Sequence, residues 1–308
     1  MTRSFDNKLL KASIDLGTNT CLLLIAEVEA GRVTRVVGDY ANIIRLGERV
    51  DQTGYLQPNA MKRALSCLSD YEVLLAGFGI PPGEVVCVAT SQARNEKKKK
   101  KFFSQVIKEI GFQFKIISAS DEAQYTFFGS LLPDMDSSRC AVVDLGGGST
   151  EFAALAGVRS VDLGSVRFTE RYLTSDPVTD EEFSSCLDKI DNELEGLKAW
   201  RNSLTDDIEM IAVAGTATTL ASWHLAQKEF NAEEIEKVQL SRADFLKMVN
   251  ELKYRSASER LAFLEIDEGR ADVILAGAMI YWRIMEKLDF PVCRVSPRGL
   301  RYGVLMTI

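Results

Sequence analysis

The feature that most constrains the fold is a long-range repeat rather than any one motif. "ASIDLG", "TCLLLIAEVE" and "RVTRVVGDY", between residues 12 and 40, read as three strands joined by glycine-bearing turns. A helical pattern follows from about Pro58 to Ala76, with Leu65, Leu68, Tyr71 and Leu75 on one face. Then come a strand "EVVCVAT" (84–90), a basic helix, a strand "QFKIIS" (113–118) and a helix opening at Ser120 or Asp121. From Cys140 the order begins again, with strands "CAVVDLG", "TEFAALA" and "VRSVDLG". Helices over about 167–174 and 179–200, a strand "EMIAVAG" (209–215) and a helix from Thr216 come next. Helices over 241–252 and 270–288, a strand "PVCRVS" (291–296) and a C-terminal helix close the chain. The order βββαβα thus occurs twice, each time opened by an Asp-Leu-Gly turn. Such a repeat predicts an α/β fold of two similar lobes, each a mixed five-stranded sheet flanked by helices. The expected division puts residues 1–120 and a C-terminal helix, about 298–308, in one lobe and 121–297 in the other.

Each repeat opens on the same chemistry. An apolar run ends in Asp15 and turns through Gly17, Thr18 and Asn19; another ends in Asp144 and turns through Gly146, Gly147, Gly148 and Ser149 to Glu151. Glycine serves where the main chain bends sharply or where a ligand approaches it. The exposed amides of such turns suit phosphate oxygens, and the hydroxyl and amide side chains add donors. Carboxylates beside a phosphate cradle make sense with a divalent cation between them, which makes Asp15, Asp144 and Glu151 metal candidates. One such turn alone is as readily a polar hairpin tip; two in matching positions favour a ligand. A third strand-to-helix turn, "VAGTATTL", offers Gly215, Thr216 and a helix N-terminus to an anion.

Composition removes other classes of function. The net charge of -7 provides no global field for DNA. "MTRSFDNKLLKAS" carries charge where a signal peptide would be apolar, and the longest apolar runs are too short for a bilayer, so a cytoplasmic protein is expected. The six cysteines form no CxxC pair and read as buried thiols. A single histidine, His224, excludes multi-histidine metal sites, and neither GxxxxGK[ST] nor a strand-to-helix GxGxxG is present.

Nine segments together carry a family resemblance: "SIDLGTNT", "IIRLGERVDQTGYL", "VATSQAR", "IISASDEA", "VVDLGGGSTEF", "LGSVRFTERYLTSDPVT", "VAGTATTLA", "GRADVILAGA" and "VSPRGLRYGVL". They cover nearly the whole chain, which resembles the exopolyphosphatase/guanosine pentaphosphate phosphatase family of the sugar kinase, heat-shock ATPase and actin superfamily. The resemblance implies actin-like (ribonuclease H-like) lobes with the active site in the cleft between them. It implies Mg²⁺, or another divalent cation, and hydrolysis of a terminal phosphoanhydride in polyphosphate or guanosine pentaphosphate. The length matches the short form of the family, and a homodimer is compatible with it. Glu122 resembles the family's catalytic base, with Asp144 and Glu151 holding metal or positioning water, and Arg94 suits a bidentate phosphate clamp. The family's usual IISGxEEA[RK] stands here as Ile116-Ile117-Ser118-Ala119-Ser120-Asp121-Glu122-Ala123-Gln124, so the acid before alanine is retained while its neighbours differ.

Lys97–Lys101 form a conspicuous charge run, either a solvated helix face or a basic approach for a polyanion. Arg167, Arg171, Arg298 and Arg301 could extend that surface. Two other functions stay open from sequence: an ATP-dependent kinase or ATPase of the same superfamily, and a non-catalytic nucleotide or polyphosphate sensor.

Overall fold

The centre of each sheet is a mostly buried strand whose penultimate residue is an aspartate. In the computed structural model, which describes residues 10–89, 97–132, 134–227, 229–264 and 268–307, these strands are β1 (Leu10–Leu16) and β6 (Cys140–Leu145). Largely apolar runs fit strands covered by helices on both sides. β2 (Thr20–Glu29) and β3 (Arg32–Ile43) pair antiparallel outward from β1, while β4 (Val85–Ala89) and β5 (Phe114–Ile116) extend the other side in parallel. The first sheet therefore runs β3-β2-β1-β4-β5.

The second sheet repeats that order. β7 (Thr150–Ala154) and β8 (Gly157–Val161) pair antiparallel beside β6, and β9 (Glu209–Val213) and β11 (Val292–Val295) pair parallel on its other side. A sixth strand, β10 (Gln239–Ser241), adds antiparallel to β11 at the edge. The five-stranded expectation omits it because three residues running directly into a helix leave no strand period to read. The two mixed sheets, flanked by helices, confirm the α/β class and the repeat.

By contact density the chain divides into two units, Met1–Tyr125 with Leu300–Ile308, and Thr126–Gly299. In the first, the helix Pro58–Gly77 opens with proline at its first position, where the missing N–H costs no hydrogen bond. It buries Ala60, Ala64, Cys67, Leu68, Tyr71 and Leu75. The C-terminal helix Leu300–Leu305 joins this unit: the Ser13 hydroxyl donates to the Arg301 carbonyl at 2.8 Å. Gly303 lies so close to the Tyr125 carbonyl that a Cβ would fall 1.9 Å from its oxygen. In the second unit, the helix Asp180–Glu195 begins with a reciprocal Thr179–Glu182 capping box. The helix Ile274–Lys287 is buried over most of its length, and Gly277 admits the Thr216 side chain against its backbone.

Candidate functional site

The two Asp-Leu-Gly turns fold alike. Gly17 N–H donates to the Thr20 carbonyl at 3.0 Å, and Gly146 N–H donates to the Ser149 carbonyl at 3.0 Å. A Cβ on Gly17 or Gly146 would stand 3.1 or 3.2 Å from that same carbonyl oxygen, so both positions favour glycine on the same ground. The match aligns Asp15 with Asp144, Thr18 with Gly147 and Asn19 with Gly148.

A Leu-Gly segment braces each turn by taking its carbonyls. In the first unit, Gly47 N–H donates to Thr18 O at 2.8 Å, and Ile44 and Arg45 both donate to Asn19 O. In the second, Ser165 and Arg167 N–H donate to Gly146 O and Gly147 O at 3.0 Å, and the Thr150 hydroxyl donates to Leu163 O. With their carbonyls held from one side, the turns are built to present amides elsewhere. Gly164 is the residue that sequence reading missed: a Cβ there would lie 2.4 Å from Gly147 O. Its signal was a further Asp-Leu-Gly, Asp162–Gly164, which reads as one more strand end until its carbonyl partners are known.

The carboxylates differ between the turns. Asp144 lies directly opposite Glu151 in the β6–β7 register, whereas Asp15 lies opposite Leu22. Glu151 is 3% exposed, and Ser160 donates to its Oε1 at 2.7 Å. Thr126 donates to Asp144 Oδ2 at 3.3 Å. Two acids directly opposed on an antiparallel pair repel unless a cation or proton lies between them. Their all-oxygen donor set suits Mg²⁺. Among the described residues no group of three or more His, Cys, Asp or Glu side chains could hold a metal, so further ligands to a cation here would come from water or phosphate. Asp15 Oδ1 is buried and accepts no hydrogen bond; burial pushes its carboxyl up to about 7, against the pull of Arg301.

The third turn stands beside the second, because β6 and β9 run parallel with Asp144 level with Val213. The helix Ala214–His224 begins there, with Ala214 at φ 71°. Arg270 donates to the Gly215 carbonyl at 3.3 Å and to the Thr219 hydroxyl at 2.6 Å. Thr216 is buried with its side chain against Gly277. Arg270, carried by "GRADVILAGA", is a second residue missing from the expected site. Nothing local in the sequence ties it to Gly215, 55 residues earlier.

Glu122 lies in the first turn of the helix Ala119–Ser130 and is 8% exposed. The helix is capped by Ser118, not by Ser120 or Asp121: Asp121 N–H donates to the Ser118 hydroxyl, and Ser118 N–H to the Asp121 carboxylate. The adjacent acids thus separate into a capping Asp121 and a buried Glu122. Thr126, which donates to Asp144, follows Glu122 by one helical turn on the same face.

Arg94 lies outside the described residues. The lysine run opens the helix Lys97–Glu109, where Lys100 and Lys101 are exposed. Arg301 is instead bound to Asp39 through two hydrogen bonds of 2.9 and 2.8 Å, Arg298 pairs with Glu236, and Arg167 pairs with Asp162. These pairings occupy three of the four arginines that could have widened a basic surface.

Residues 24–308 match the model of the Ppx/GppA phosphatase family. The chain is 34% identical to exopolyphosphatase 2 of Mycobacterium tuberculosis over 90% of each protein. It is 30% identical to a bifunctional 3-dehydroquinate synthase/phosphatase of Fusobacterium nucleatum, over 98% of the chain but 47% of that protein's length. Among solved structures, an exopolyphosphatase-like protein superposes with a TM-score of 0.87 at 27% identity over 97% of each chain. An exopolyphosphatase from Cytophaga hutchinsonii gives 0.86 at 26% identity, also over 97% of each.

Proposed function

The chain belongs to the Ppx/GppA phosphatase family, and on that premise we propose that it hydrolyses the terminal phosphoanhydride of inorganic polyphosphate, guanosine pentaphosphate or both. The observation that carries this reading is the second turn, where a braced loop of three glycines adjoins the opposed carboxylates Asp144 and Glu151. Amides of Gly147, Gly148 and Ser149 supply donors for phosphate oxygens, and Thr18 and Asn19 supply matching donors on the first turn, while the Gly17 and Gly146 amides close the turns themselves. Gly215, Thr216 and Arg94 add phosphate contacts. Asp144 and Glu151 would hold the divalent cation, which when bound supplies positive charge to the phosphate oxygens.

Attack on phosphorus needs an oriented water and a group that takes its proton. Glu122 fills that role: its burial favours proton transfer over solvation, and Asp121 is already committed to the helix cap. Thr126, one turn on, holds Asp144 by hydrogen bond. Acceptor-free hydrolysis separates this reading from a kinase. The full chain is mixed with Mg²⁺ and either polyphosphate or guanosine pentaphosphate, with no nucleotide or sugar acceptor, and inorganic phosphate is followed. Steady phosphate release that chelation abolishes is expected. Release only on addition of an acceptor identifies a transferase, and no turnover of either substrate identifies a binding protein.

A further inference from the structure

Two thiols in the first unit face each other in a part of the core that the proposed chemistry does not use. Cys21 begins the buried stretch of β2 and pairs in register with Asn42 on β3. Cys67 lies on the buried face of the helix Pro58–Gly77, one turn before Tyr71. The Tyr71 hydroxyl donates to the Cys21 carbonyl at 2.8 Å, and Asn42 Nδ2 donates to the Tyr71 oxygen at 3.1 Å. Tyr71 thus fixes the helix face that carries Cys67 against the residue that carries the other thiol. Both cysteines belong to one apolar cluster, Cys21 with no exposed surface and Cys67 at 6%.

We propose that Cys21 and Cys67 form an oxidation site, a dithiol that a hydroperoxide closes into a disulfide between β2 and the helix Pro58–Gly77. The two sulfurs are not equivalent. The contact with Cys21, then Tyr71 and Asn42 beside it, holds the Cys67 thiol below its usual value against the opposing effect of burial. Burial, reinforced by Cys67, pushes the Cys21 thiol well above its own. Cys67, which alone of the two has exposed surface for a hydroperoxide to reach, is the nucleophile and Cys21 the resolving thiol. The Cys67 thiolate attacks the O–O bond; a sulfur–oxygen bond forms and hydroxide leaves. Cys21 sulfur then attacks Cys67 sulfur, the S–S bond forms, and the sulfenic oxygen departs as water with the Cys21 proton. The dithiol loses two electrons and hydrogen peroxide is reduced to water. Cys87, two strands from Cys21, is turned aside, its thiol donating to the Val85 carbonyl at 3.7 Å.

The bridge closes a loop of roughly 45 residues containing β3, which constrains the unfolded chain more than the folded one. The test treats the full chain with hydrogen peroxide, blocks remaining thiols, and maps linked peptides by mass spectrometry, with thermal melts on the same samples. The expected result is a Cys21–Cys67 peptide pair lighter by two hydrogens and a melting midpoint raised by at least about 5 °C. Both should reverse with dithiothreitol, disappear in Cys21→Ser and Cys67→Ser, and persist in Cys87→Ser. Mapping on the natural chain keeps the test intact if a serine variant folds poorly. Recovery of both thiols unlinked, oxidation of Cys67 to sulfinic acid, a bridge to another cysteine, or an unchanged midpoint would each overturn the proposal.

Discussion

The first and second Asp-Leu-Gly turns share one backbone and differ in what surrounds it. Both close with a glycine N–H on a carbonyl three residues later, at 3.0 Å, and both are braced by a Leu-Gly segment. The tip of the first carries Thr18 and Asn19, with Leu22 opposite Asp15; the tip of the second is glycine throughout, with Glu151 opposite Asp144. A shared turn geometry therefore does not imply shared surroundings. On the proposed reading the second turn, with its opposed carboxylates, serves close approach and a cation, and the first, with side-chain donors and one raised carboxyl, serves contact.

That contrast is most open to attack through the aspartates. Asp144→Asn should lower phosphate release at fixed Mg²⁺ on the order of 100-fold, with partial recovery as Mg²⁺ is raised, because it removes half of a carboxylate pair. Asp15→Asn should cost about tenfold or less and shift the Mg²⁺ response little. Equal losses and equal Mg²⁺ shifts would erase the distinction between the turns.

Gly164→Ala probes the brace. Its Cβ would lie 2.4 Å from Gly147 O, a backbone atom that cannot swing aside. A loss of about 2–4 kcal/mol in denaturant unfolding is expected, with substrate affinity falling more than the far-ultraviolet dichroism. Unchanged affinity in a folded variant would show that the turn tolerates displacement.

The buried carboxyl of Asp15 gives a pH signature confined to the first turn. Its folded value, about 7, exceeds the unfolded 3.8, so the wild type loses stability as pH rises between about 4 and 7. Asp15→Asn lacks that titration. Relative to wild type it should gain up to about 4 kcal/mol above pH 7 and nothing near pH 4, read from paired urea melts. A pH-independent difference would contradict the burial argument.

The smallest effect concerns Lys97–Lys101. Replacing them with Gln should raise KM about two- to fivefold for long polyphosphate only and flatten its salt dependence, because guidance acts on encounter. An unchanged salt response would leave the run a solvated helix face.

The repeat is legible in the sequence because each central strand is a largely apolar run leading into Asp-Leu-Gly, a pattern that survives without tertiary context. The Asp15 and Asp144 turns were legible for the same reason. Features set by contacts distant in sequence were not. Gly164 matters only because it meets Gly147 O, Arg270 only because it reaches Gly215 and Thr219, and Arg301 is committed to Asp39, 262 residues away. The helix before Glu122 begins two residues earlier than its apolar pattern suggests, because Ser118 and Asp121 cap each other.

The most direct test of hydrolysis with Glu122 as the proton acceptor is phosphate release by Glu122→Gln beside wild type. Substrate, Mg²⁺ and enzyme concentration are matched, and substrate affinity is measured on the same preparations by equilibrium titration. Glutamine keeps the size and hydrogen-bonding reach of the side chain but cannot take the proton. The account predicts a fall in turnover of about 10²–10⁴-fold with affinity within a few-fold of wild type. Near-normal turnover in the variant would contradict it and move the search for the base to Glu151.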